Sequence, residues 1–408
     1  MTSSPIGPGL IALLGCTQIV GYGTIYYAYP VLVPQVAAEF GTSEPVLYAV
    51  MAAGLFVSGL AAPWLGGLMD RFQAPRVMAA GSLVVSGMLA SMAMAPSLIV
   101  FAALVIALKA ISFAVLYDAA FATLALRRPQ DTRAAITSLT LVAGFASTIF
   151  WPLTGWLVED LGWRGTVGLW AGLNLLLAFP LHLWLSAPPR IAPPAGAGRR
   201  EPVPGAVWTP LPSAAAPGAF LLLGWGFALS GMLIAAIGVQ MVPILLALDL
   251  GETAFLVAMA MGPSQVAIRV VDATLWRRRH PLWVALVSAL AVVAAVGLLP
   301  LAGSATGLAM VCVILFGAGH GLASIVRGAV PVALFGAIGL GRRLGRLAAL
   351  RAMLAALAPF LFALGHQALG LTAALLICGA VGLTGFLALL RLWSMLPAGS
   401  TESALHER

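Results

Sequence analysis

The sequence predicts an all-α integral membrane protein with twelve transmembrane helices in two pseudo-symmetric six-helix bundles, and three observations carry this prediction. The mean hydropathy is +1.04 and only 8% of the residues are charged, whereas soluble domains carry about 25% charged residues. Apolar runs long enough to cross a bilayer recur along the whole chain. Arginines and acidic residues alternate between the successive gaps that separate those runs.

Each of the twelve predicted helices is an apolar run of roughly 20 residues or more, which is the length that a membrane-spanning helix needs. The runs cover 9–34, 45–69, 76–95, 97–123, 134–158, 164–186, 217–246, 253–275, 281–300, 304–327, 344–368 and 370–393. The chain start has no basic segment followed by a small-residue cleavage site, so the first run is predicted to be a retained helix and not a signal peptide.

The charged residues predict the orientation of these helices. Arginine clusters fill the gaps after predicted helices 2, 4, 6, 8 and 10, at 71–76, 127–133, 190–200, 277–279 and 342–346. Acidic residues fill the gaps after helices 1, 5 and 7, at 39–44, 159–160 and 249–252, and Arg164 is the one base there. Because Lys and Arg accumulate on the cytoplasmic side, both termini are predicted to be cytoplasmic.

A stretch rich in proline and arginine divides the chain into two halves. We expect a six-helix bundle over 1–187, a cytoplasmic linker over 188–216, a second six-helix bundle over 217–398 and a cytoplasmic tail over 399–408. The halves resemble each other where predicted helices 1 and 7 end. Val33-Pro34 followed by Phe40-Gly41 is matched by Val242-Pro243 followed by Leu250-Gly251. Two parallel repeats about a vertical pseudo-twofold axis explain this similarity.

The loop between predicted helices 2 and 3 carries the most specific motif, Gly66-Gly67-Leu68-Met69-Asp70-Arg71-Phe72-Gln73-Ala74-Pro75-Arg76. It resembles the signature loop of the major facilitator superfamily of secondary transporters, a Gly-x-Leu-x-Asp-Arg-x-Gly-Arg-Arg pattern. Gly66, Leu68, Asp70 and Arg71 are in register with it, and of the final basic pair Arg76 remains, one position late. Gln73 stands where the family has its second glycine. With twelve helices and a central linker, the resemblance covers the whole chain.

This resemblance implies roles for several charged residues. Asp70 would face the N-terminus of predicted helix 11, where unpaired N–H groups favour a negative charge. Arg71 would pair with an acid at the cytoplasmic end of helix 4, a position that Asp118 fits. In the second half, Asp272 and Arg327 stand at the corresponding ends of helices 8 and 10, so an Asp272–Arg327 pair is expected. The alternative is that these charges only reach out to the membrane interface.

Lys109 is the sharpest candidate for substrate binding, because an ionisable group deep in a membrane is costly and indicates function. It lies about twelve residues into predicted helix 4, near the middle of the bilayer. In a continuous helix, Asp118 would lie on roughly the opposite face, so the two could not neutralise each other. A buried lysine without a carboxylate would bind an anion or lose its proton. The alternative is a lysine bonded to a carbonyl against helices 1 and 2.

Two arginines of the second half are further candidates. Arg269 lies one turn from Asp272 on predicted helix 8, so it either contacts substrate or forms a structural i,i+3 pair. Arg351, in the second turn of predicted helix 11, either contacts substrate or extends to the interface. One base on helix 8 and one on helix 11 resembles the oxalate/formate exchangers, and a helix 8 Asp/Arg pair is loosely similar to the monocarboxylate transporters.

Uncharged polar groups complete the predicted substrate site. Gln18, Tyr22 and Tyr26 share one face of the first helix at i,i+4 spacing, and a polar stripe at this depth is expected to line a cavity rather than face lipid. His320, set among glycines on predicted helix 10, would relay protons or only pack. Gln240 on helix 7 is the nearest counterpart in the second half.

The sequence contains no pattern typical of an enzyme. There is no Walker loop, catalytic triad spacing or metal-ligand spacing, so neither a cofactor nor a metal site is expected. The arginines are scattered in short clusters, which argues against nucleic-acid binding. We therefore expect a secondary active transporter that works by alternating access and uses an ion or solute gradient.

The predicted substrate is a small organic anion, because the intramembrane bases Lys109, Arg269, Arg327 and Arg351 outnumber the acids Asp118 and Asp272. The alternative is a proton-coupled exporter of drug-like or toxic compounds, including metalloids. A minor alternative is a membrane sensor or scaffold that transports nothing.

The expected partners are the small-molecule substrate, a coupling proton and the lipid bilayer. We expect a functional monomer that spans a bacterial inner membrane several times.

Overall fold

The computed structural model describes residues 6–187, 211 and 215–396, with side chains from residue 9 onward. Every regular element in these ranges is helical. The predicted tail and all of the predicted linker except residues 211, 215 and 216 lie outside the described residues. The described chain forms two compact units. The first contains 6–187 together with Ala337–Arg346, and the second contains 211, 215–336 and 347–396.

The first unit is built from nine α-helices and two π-helical segments among its described residues. The α-helices are α1 (Ile6–Tyr22), α2 (Ala28–Glu39), α3 (Glu44–Phe72), α4 (Ala74–Ala93), α5 (Leu98–Ser112), α6 (Tyr117–Arg127), α7 (Thr132–Ala143), α8 (Ala146–Leu173) and α9 (Phe179–Ser186). The π-helical segments Gly23–Tyr27 and Asn174–Ala178 join α1 to α2 and α8 to α9. Its apolar core includes Phe101, Phe150 and Trp170, each at most 3% exposed.

The second unit contributes α10 (Ala216–Ala247), α11 (Thr253–Met259), α12 (Met261–Thr274), α13 (Pro281–Leu298), α14 (Thr306–Phe335), α15 (Leu340–Leu369) and α16 (Leu371–Trp393). The first turns of α15, up to Arg346, belong to the first unit. A 3₁₀ turn at Leu299–Leu301 follows α13. Apolar side chains on α10, α11, α13, α14, α15 and α16 form most of the two core clusters of this unit.

Eleven stretches of the described chain are long and apolar enough to cross a membrane. The fifth, Thr132–Ser186, has 55 residues. At 1.5 Å per residue it would extend roughly 80 Å, whereas the hydrocarbon core is about 30 Å thick. It contains both predicted helices 5 and 6, and Gly162 breaks the helical geometry between them with a φ of 68°. Predicted helices 5 and 6 therefore agree in position with the observed helices, although no loop separates the two in the structure.

Predicted helix 4 is interrupted, contrary to the continuous run of 97–123. Residues 113–116 leave the helical path between α5 and α6, and Leu116 is extended, with φ −93° and ψ −160°. Asp118 lies in the first turn of α6, nine residues before that helix ends at Arg127. The expectation that Asp118 marks the end of the helix is therefore wrong, because the apolar run contains a helix break and the helix extends beyond the run.

Three other helices differ from the predicted runs. Predicted helix 8 is divided at Ala260 into α11 and α12. The tenth helix, α14, continues eight residues beyond Arg327 to Phe335, so Arg327 does not end it. The eleventh, α15, begins at Leu340 instead of 344, which places Arg351 in its fourth turn and not its second. The α14 helix continues because residues 328–335 after Arg327 are again apolar. The α15 helix begins earlier because Arg342 and Arg343, outside the apolar run, also take part in its first turn.

Candidate functional site

The side chain of Lys109 is enclosed within the first unit. Lys109 is 1% exposed, and its Nζ donates a hydrogen bond to the carbonyl oxygen of Ile25 at 2.6 Å. The same nitrogen lies 3.8 Å from the centroid of the Tyr26 ring and 5.6 Å from that of Tyr29. In the described part of the chain, Lys109 forms no ion pair with an acidic side chain. Its ammonium is held by a carbonyl dipole and two aromatic faces.

Local backbone geometry makes room for this arrangement. Ile25 and Tyr26 belong to the π-helical segment Gly23–Tyr27, and a π turn changes which backbone groups pair within a helix. Gly54 on α3 provides space for the lysine stem, since a Cβ at this position would lie 2.8 Å from Lys109 Cγ. The structure thus shows the lysine bonded to a carbonyl of helix 1 and packed against helix 2, the alternative that the sequence left open.

The polar stripe of the first helix faces α5 and α6. Gln18 Nε2 donates to the carbonyl oxygen of Val115 at 2.9 Å. The ring centroids of Tyr22 and Tyr117 are 4.6 Å apart, and the Tyr26 hydroxyl lies 3.3 Å from Ser112 Oγ. Shared spacing on one helical face therefore placed these three side chains along the seam between helix 1 and helix 4.

Gln18 stabilises the interruption of helix 4. Val115 lies within the break, where its carbonyl has no place in a regular helical ladder. The Gln18 amide supplies the missing donor, and Gln18 itself is completely buried. Its Oε1 has no hydrogen-bond partner among the described residues. Nothing in the pattern of Gln18, Tyr22 and Tyr26 pointed to a break in another helix, because the contact joins positions 97 residues apart.

The predicted pair of Arg71 and Asp118 is not formed in the described structure. Arg71 is exposed and its guanidinium lies 5.0 Å from the centroid of the neighbouring Phe72 ring. Asp118 is 9% exposed, in the first turn of α6, where the helix dipole favours a negative charge. The pairing fails because Asp118 lies beside the helix break and not at the end of the helix.

Asp70 caps the start of α15. Its Oδ1 accepts from the Gly341 backbone N–H at 2.8 Å, and its Oδ2 accepts from that of Arg342 at 2.9 Å. Both donors belong to the first turn of the helix, whose N–H groups have no intrahelical partners. Two glycines permit the close approach, because a Cβ on Gly66 would lie 2.1 Å from the Gly341 oxygen and one on Gly345 would lie 2.3 Å from the Ala62 oxygen.

Gln73 forms the turn that follows. It has φ 70° and ψ 135°, a conformation that residues with a Cβ rarely adopt. The Gln73 carbonyl accepts from the N–H groups of Arg76 and Val77, so the residue is also the N-cap of α4. Arg76 itself is exposed in the first turn of this helix. The turn therefore keeps a backbone shape suited to glycine without having a glycine.

A second charged cluster lies within the second unit, on α12 and α14. Arg269 is 8% exposed and its Nε lies 3.4 Å from the Gly321 carbonyl oxygen, while Asp272 is 1% exposed. His320 contacts Phe316 edge to face, with ring centroids 6.5 Å apart, and its Nδ1 is buried without a hydrogen bond in the described structure. The expected Asp272–Arg327 pair stays a prediction.

The remaining candidates of the second unit contact neighbouring helices. Gln240 Nε2 on α10 donates to the carbonyl oxygen of Pro359 on α15 at 2.9 Å. Arg351 is partly buried, and its stem packs so closely on α10 that a Cβ at Gly231 would lie 2.6 Å from Arg351 Cγ. Both side chains therefore take part in packing α10 against α15.

Comparison with known proteins identifies the family. The Major Facilitator Superfamily matches residues 14–339 of this sequence. The chain belongs to the Major Facilitator Superfamily. It is therefore a multi-pass membrane protein of a transporter family. A search of curated proteins finds no sequence that matches this chain.

Solved structures of Major Facilitator Superfamily transporters share the fold. The human organic anion transporter MFSD10 (TETRAN) has a TM-score of 0.71 and 17% identity, covering 95% of this chain and 100% of its own. The proton:xylose symporter XylE, bound to 6-bromo-6-deoxy-D-glucose, has a TM-score of 0.67 and 15% identity, covering 98% and 99%. FucP in the outward conformation has a TM-score of 0.64 and 13% identity, covering 94% and 98%. At these identities the likeness concerns the fold.

Sequence reasoning missed one polar cluster of this Major Facilitator Superfamily protein. Arg164 was noted only as a base among acidic residues. Its Nη2 donates to Glu39 Oε1 at 2.6 Å and to the Ala95 carbonyl oxygen at 2.8 Å, and its Nη1 donates to the Ala93 carbonyl oxygen at 2.8 Å. Trp163 Nε1 donates to the other carboxylate oxygen of Glu39 at 2.5 Å. The cluster joins α8 to the ends of α2 and α4, so Arg164 has a structural role there. The pairing of Glu39 with Arg164 spans 125 residues, which no local pattern reveals.

Proposed function

We propose that this protein is a secondary active transporter that carries a small organic anion by alternating access, using an ion or solute gradient. Membership of the Major Facilitator Superfamily supports secondary transport. The observation that carries the anion is Lys109, a buried ammonium with no acidic partner in the described chain. Removing a charge from water without a counter-charge is costly. A bound anion would supply the compensating charge.

Charged residues of the second unit also support a negatively charged substrate. Arg269, Arg327 and Arg351 lie on its membrane-spanning helices, with Asp272 as the acid near Arg269 in sequence. An excess of positive charge in a low-dielectric region attracts anions through its field. An organic anion transporter is among the proteins of similar fold. Because that similarity concerns the fold alone, the proposal of an anionic substrate rests on these residues.

Exchange in proteoliposomes tests the proposal without assuming import or export. Vesicles containing the full chain and an unlabelled carboxylate are mixed with the same labelled carboxylate, across a panel of small organic acids. We expect the wild type to accumulate at least one labelled acid and the Lys109→Met protein to lose most of this exchange. Arg391→Met is the matched control, because it removes one positive charge from an exposed position in the last turn of α16. Undiminished exchange by a well-folded Lys109→Met protein would contradict the proposal.

Export of drug-like or toxic compounds is the second candidate. Clustered aromatic side chains in the first unit favour it, with Tyr27 and Trp151 in edge-to-face contact at 5.8 Å. Cells lacking their own efflux systems provide the test. Resistance to aromatic toxicants or metalloids conferred by this protein, together with no carboxylate exchange, would favour export.

We propose a coupling proton, a functional monomer and a bacterial inner membrane location, together with a loose kinship to the monocarboxylate and oxalate/formate exchangers. Twelve spans with cytoplasmic termini are proposed from the alternating charges. Single-cysteine labelling on both sides of the membrane tests the topology, and exchange measured with and without a pH gradient tests proton coupling.

The Asp70 cap is proposed to open and close during the transport cycle.

A further inference from the structure

Five aromatic side chains of the first unit form a continuous surface, here named the aromatic wall: Tyr22, Tyr26, Tyr27, Tyr117 and Trp151. The Tyr22 ring centroid lies 5.7 Å from that of Tyr26, 6.5 Å from that of Tyr27 and 4.6 Å from that of Tyr117. Trp151 on α8 extends the wall through its contact with Tyr27. Helix 1, the start of α6 and α8 thus present their aromatic residues to one another.

The wall has an open side. Tyr22, Tyr26 and Tyr27 are partly exposed, and Trp151 is 53% exposed. The three tyrosines of helix 1 lie near the middle of the span Gly9–Glu39. Tyrosine rings are amphipathic, and three partly exposed tyrosines on one face at this depth favour an aqueous or ligand-filled surface over a lipid-facing one. We take the open side to be a solvated or ligand-filled surface.

Positive charge lies behind this surface. Lys109 Nζ lies 3.8 Å from the centroid of the Tyr26 ring. The lysine is 1% exposed and the tyrosine is partly exposed, so the ring lies between the ammonium and the open side. Tyr26, the member of the wall that contacts the ammonium, therefore also has a surface that a ligand could contact. A ligand lying against the wall would combine aromatic contact with attraction between its negative group and Lys109.

We propose that the aromatic wall binds the planar ring of an aromatic carboxylate, with the carboxylate on the Lys109 side. This inference rests on the proposed transport of an organic anion and specifies its chemical class. Offset and edge-to-face ring pairs with centroids about 4.5–7 Å apart are favourable beyond the burial of area. The wall already shows spacings in this range. Saturated rings of similar size and equal charge lack the π face that such a contact needs.

Matched acids test the inference on the purified full-length protein. Benzoate, phenylacetate and 3-phenylpropionate are compared with cyclohexanecarboxylate, cyclohexylacetate and 3-cyclohexylpropionate by concentration-dependent thermal stabilisation, which reports binding to the folded state. For at least one pair, we expect the aromatic acid to bind roughly 3- to 10-fold more tightly than its saturated partner. Benzamide in place of benzoate is expected to bind more weakly because it lacks the charge.

Variants then assign the preference to the wall. Trp151→Leu and Tyr27→Leu should reduce the ratio of affinities between the paired acids towards one. Trp156→Leu is the control, because Trp156 lies on the same helix, is 61% exposed and is not part of the wall. A preference that persists in folded Trp151→Leu and Tyr27→Leu proteins would overturn the inference.

The outcomes also separate the inference from the proposed function. Equal affinity within every acid pair would overturn the aromatic wall as a binding surface and leave organic anion transport standing. Failure of these acids and of aliphatic carboxylates to bind or exchange would overturn both. Tighter binding of benzamide than of benzoate would overturn the anionic part of each proposal.

Discussion

The ammonium of Lys109 lies 3.8 Å from the centroid of the Tyr26 ring. The ring therefore covers the one lysine of the chain in the middle of a membrane-spanning unit. The Ile25 carbonyl accepts from the same ammonium at 2.6 Å. The carbonyl dipole and the π face are both contacts that favour the protonated form of the lysine. The proposed function assigns the compensating negative charge to a bound anion.

Replacement of Tyr26 should separate the contribution of its ring from that of its hydroxyl. Tyr26→Leu removes the π face and is expected to lower the free energy of unfolding by about 2 kcal/mol, the value of a desolvated cation–π contact. Tyr26→Phe keeps the ring and loses the hydroxyl that lies 3.3 Å from Ser112 Oγ, so its loss should be smaller. Thermal unfolding in one detergent measures both. Equal losses in the two variants would contradict a role for the ring.

Gly54→Ala should disturb the lysine site from helix 2. The added methyl would lie 2.8 Å from Lys109 Cγ and 3.3 Å from the Ile106 backbone, so α3 and α5 must separate or the lysine must change rotamer. Overpacking of this kind typically costs 1–3 kcal/mol. We expect a lower unfolding temperature and weaker carboxylate exchange. Gly87→Ala is the control, because nothing lies within 4 Å of its added Cβ. An equal decrease in unfolding temperature in both variants would contradict this interpretation.

Removal of the Asp70 carboxylate should loosen the start of α15. Asp70→Ala leaves the Gly341 and Arg342 N–H groups without their acceptor, and loss of a helix cap costs about 1 kcal/mol. Hydrogen exchange at these two amides is expected to accelerate in Asp70→Ala and less so in Asp70→Asn, which retains one acceptor oxygen. Asp160→Asn, at an exposed acid of α8, serves as control. Unchanged exchange in Asp70→Ala would rule out a stabilising cap.

Gln73→Gly should stabilise the protein. A residue with a Cβ held at φ 70° and ψ 135° stores on the order of 1–3 kcal/mol, whereas glycine adopts the conformation freely but loses about 1 kcal/mol through the entropy of the unfolded chain. The expected net gain is about 1 kcal/mol, seen as a higher unfolding temperature. Gln73→Ala keeps the Cβ and should gain nothing. A rise in Gln73→Ala equal to that in Gln73→Gly would show that strain is not the cause.

The helices and the signature loop could be predicted from the sequence because each depends on residues that are neighbours in the chain. Asp70 was expected to face the N-terminus of the eleventh helix, and its carboxylate accepts from Gly341 there. Lys109 was expected deep in the fourth helix and is buried there. The continuity of that helix could not be read from the sequence, because residues 113–116 are as apolar as their neighbours.

By itself, the sequence determined an all-helical membrane protein of a transporter family, since the cost of exposing polar groups to lipid constrains composition at every position. Only the tertiary structure decided which polar groups meet. Gln18 reaches Val115 at a helix break, Tyr26 covers Lys109, and Arg71 does not reach Asp118. The two contacts that form join distant segments through a helix break and a π turn, whose energies depend on packing partners and not on local residue pattern.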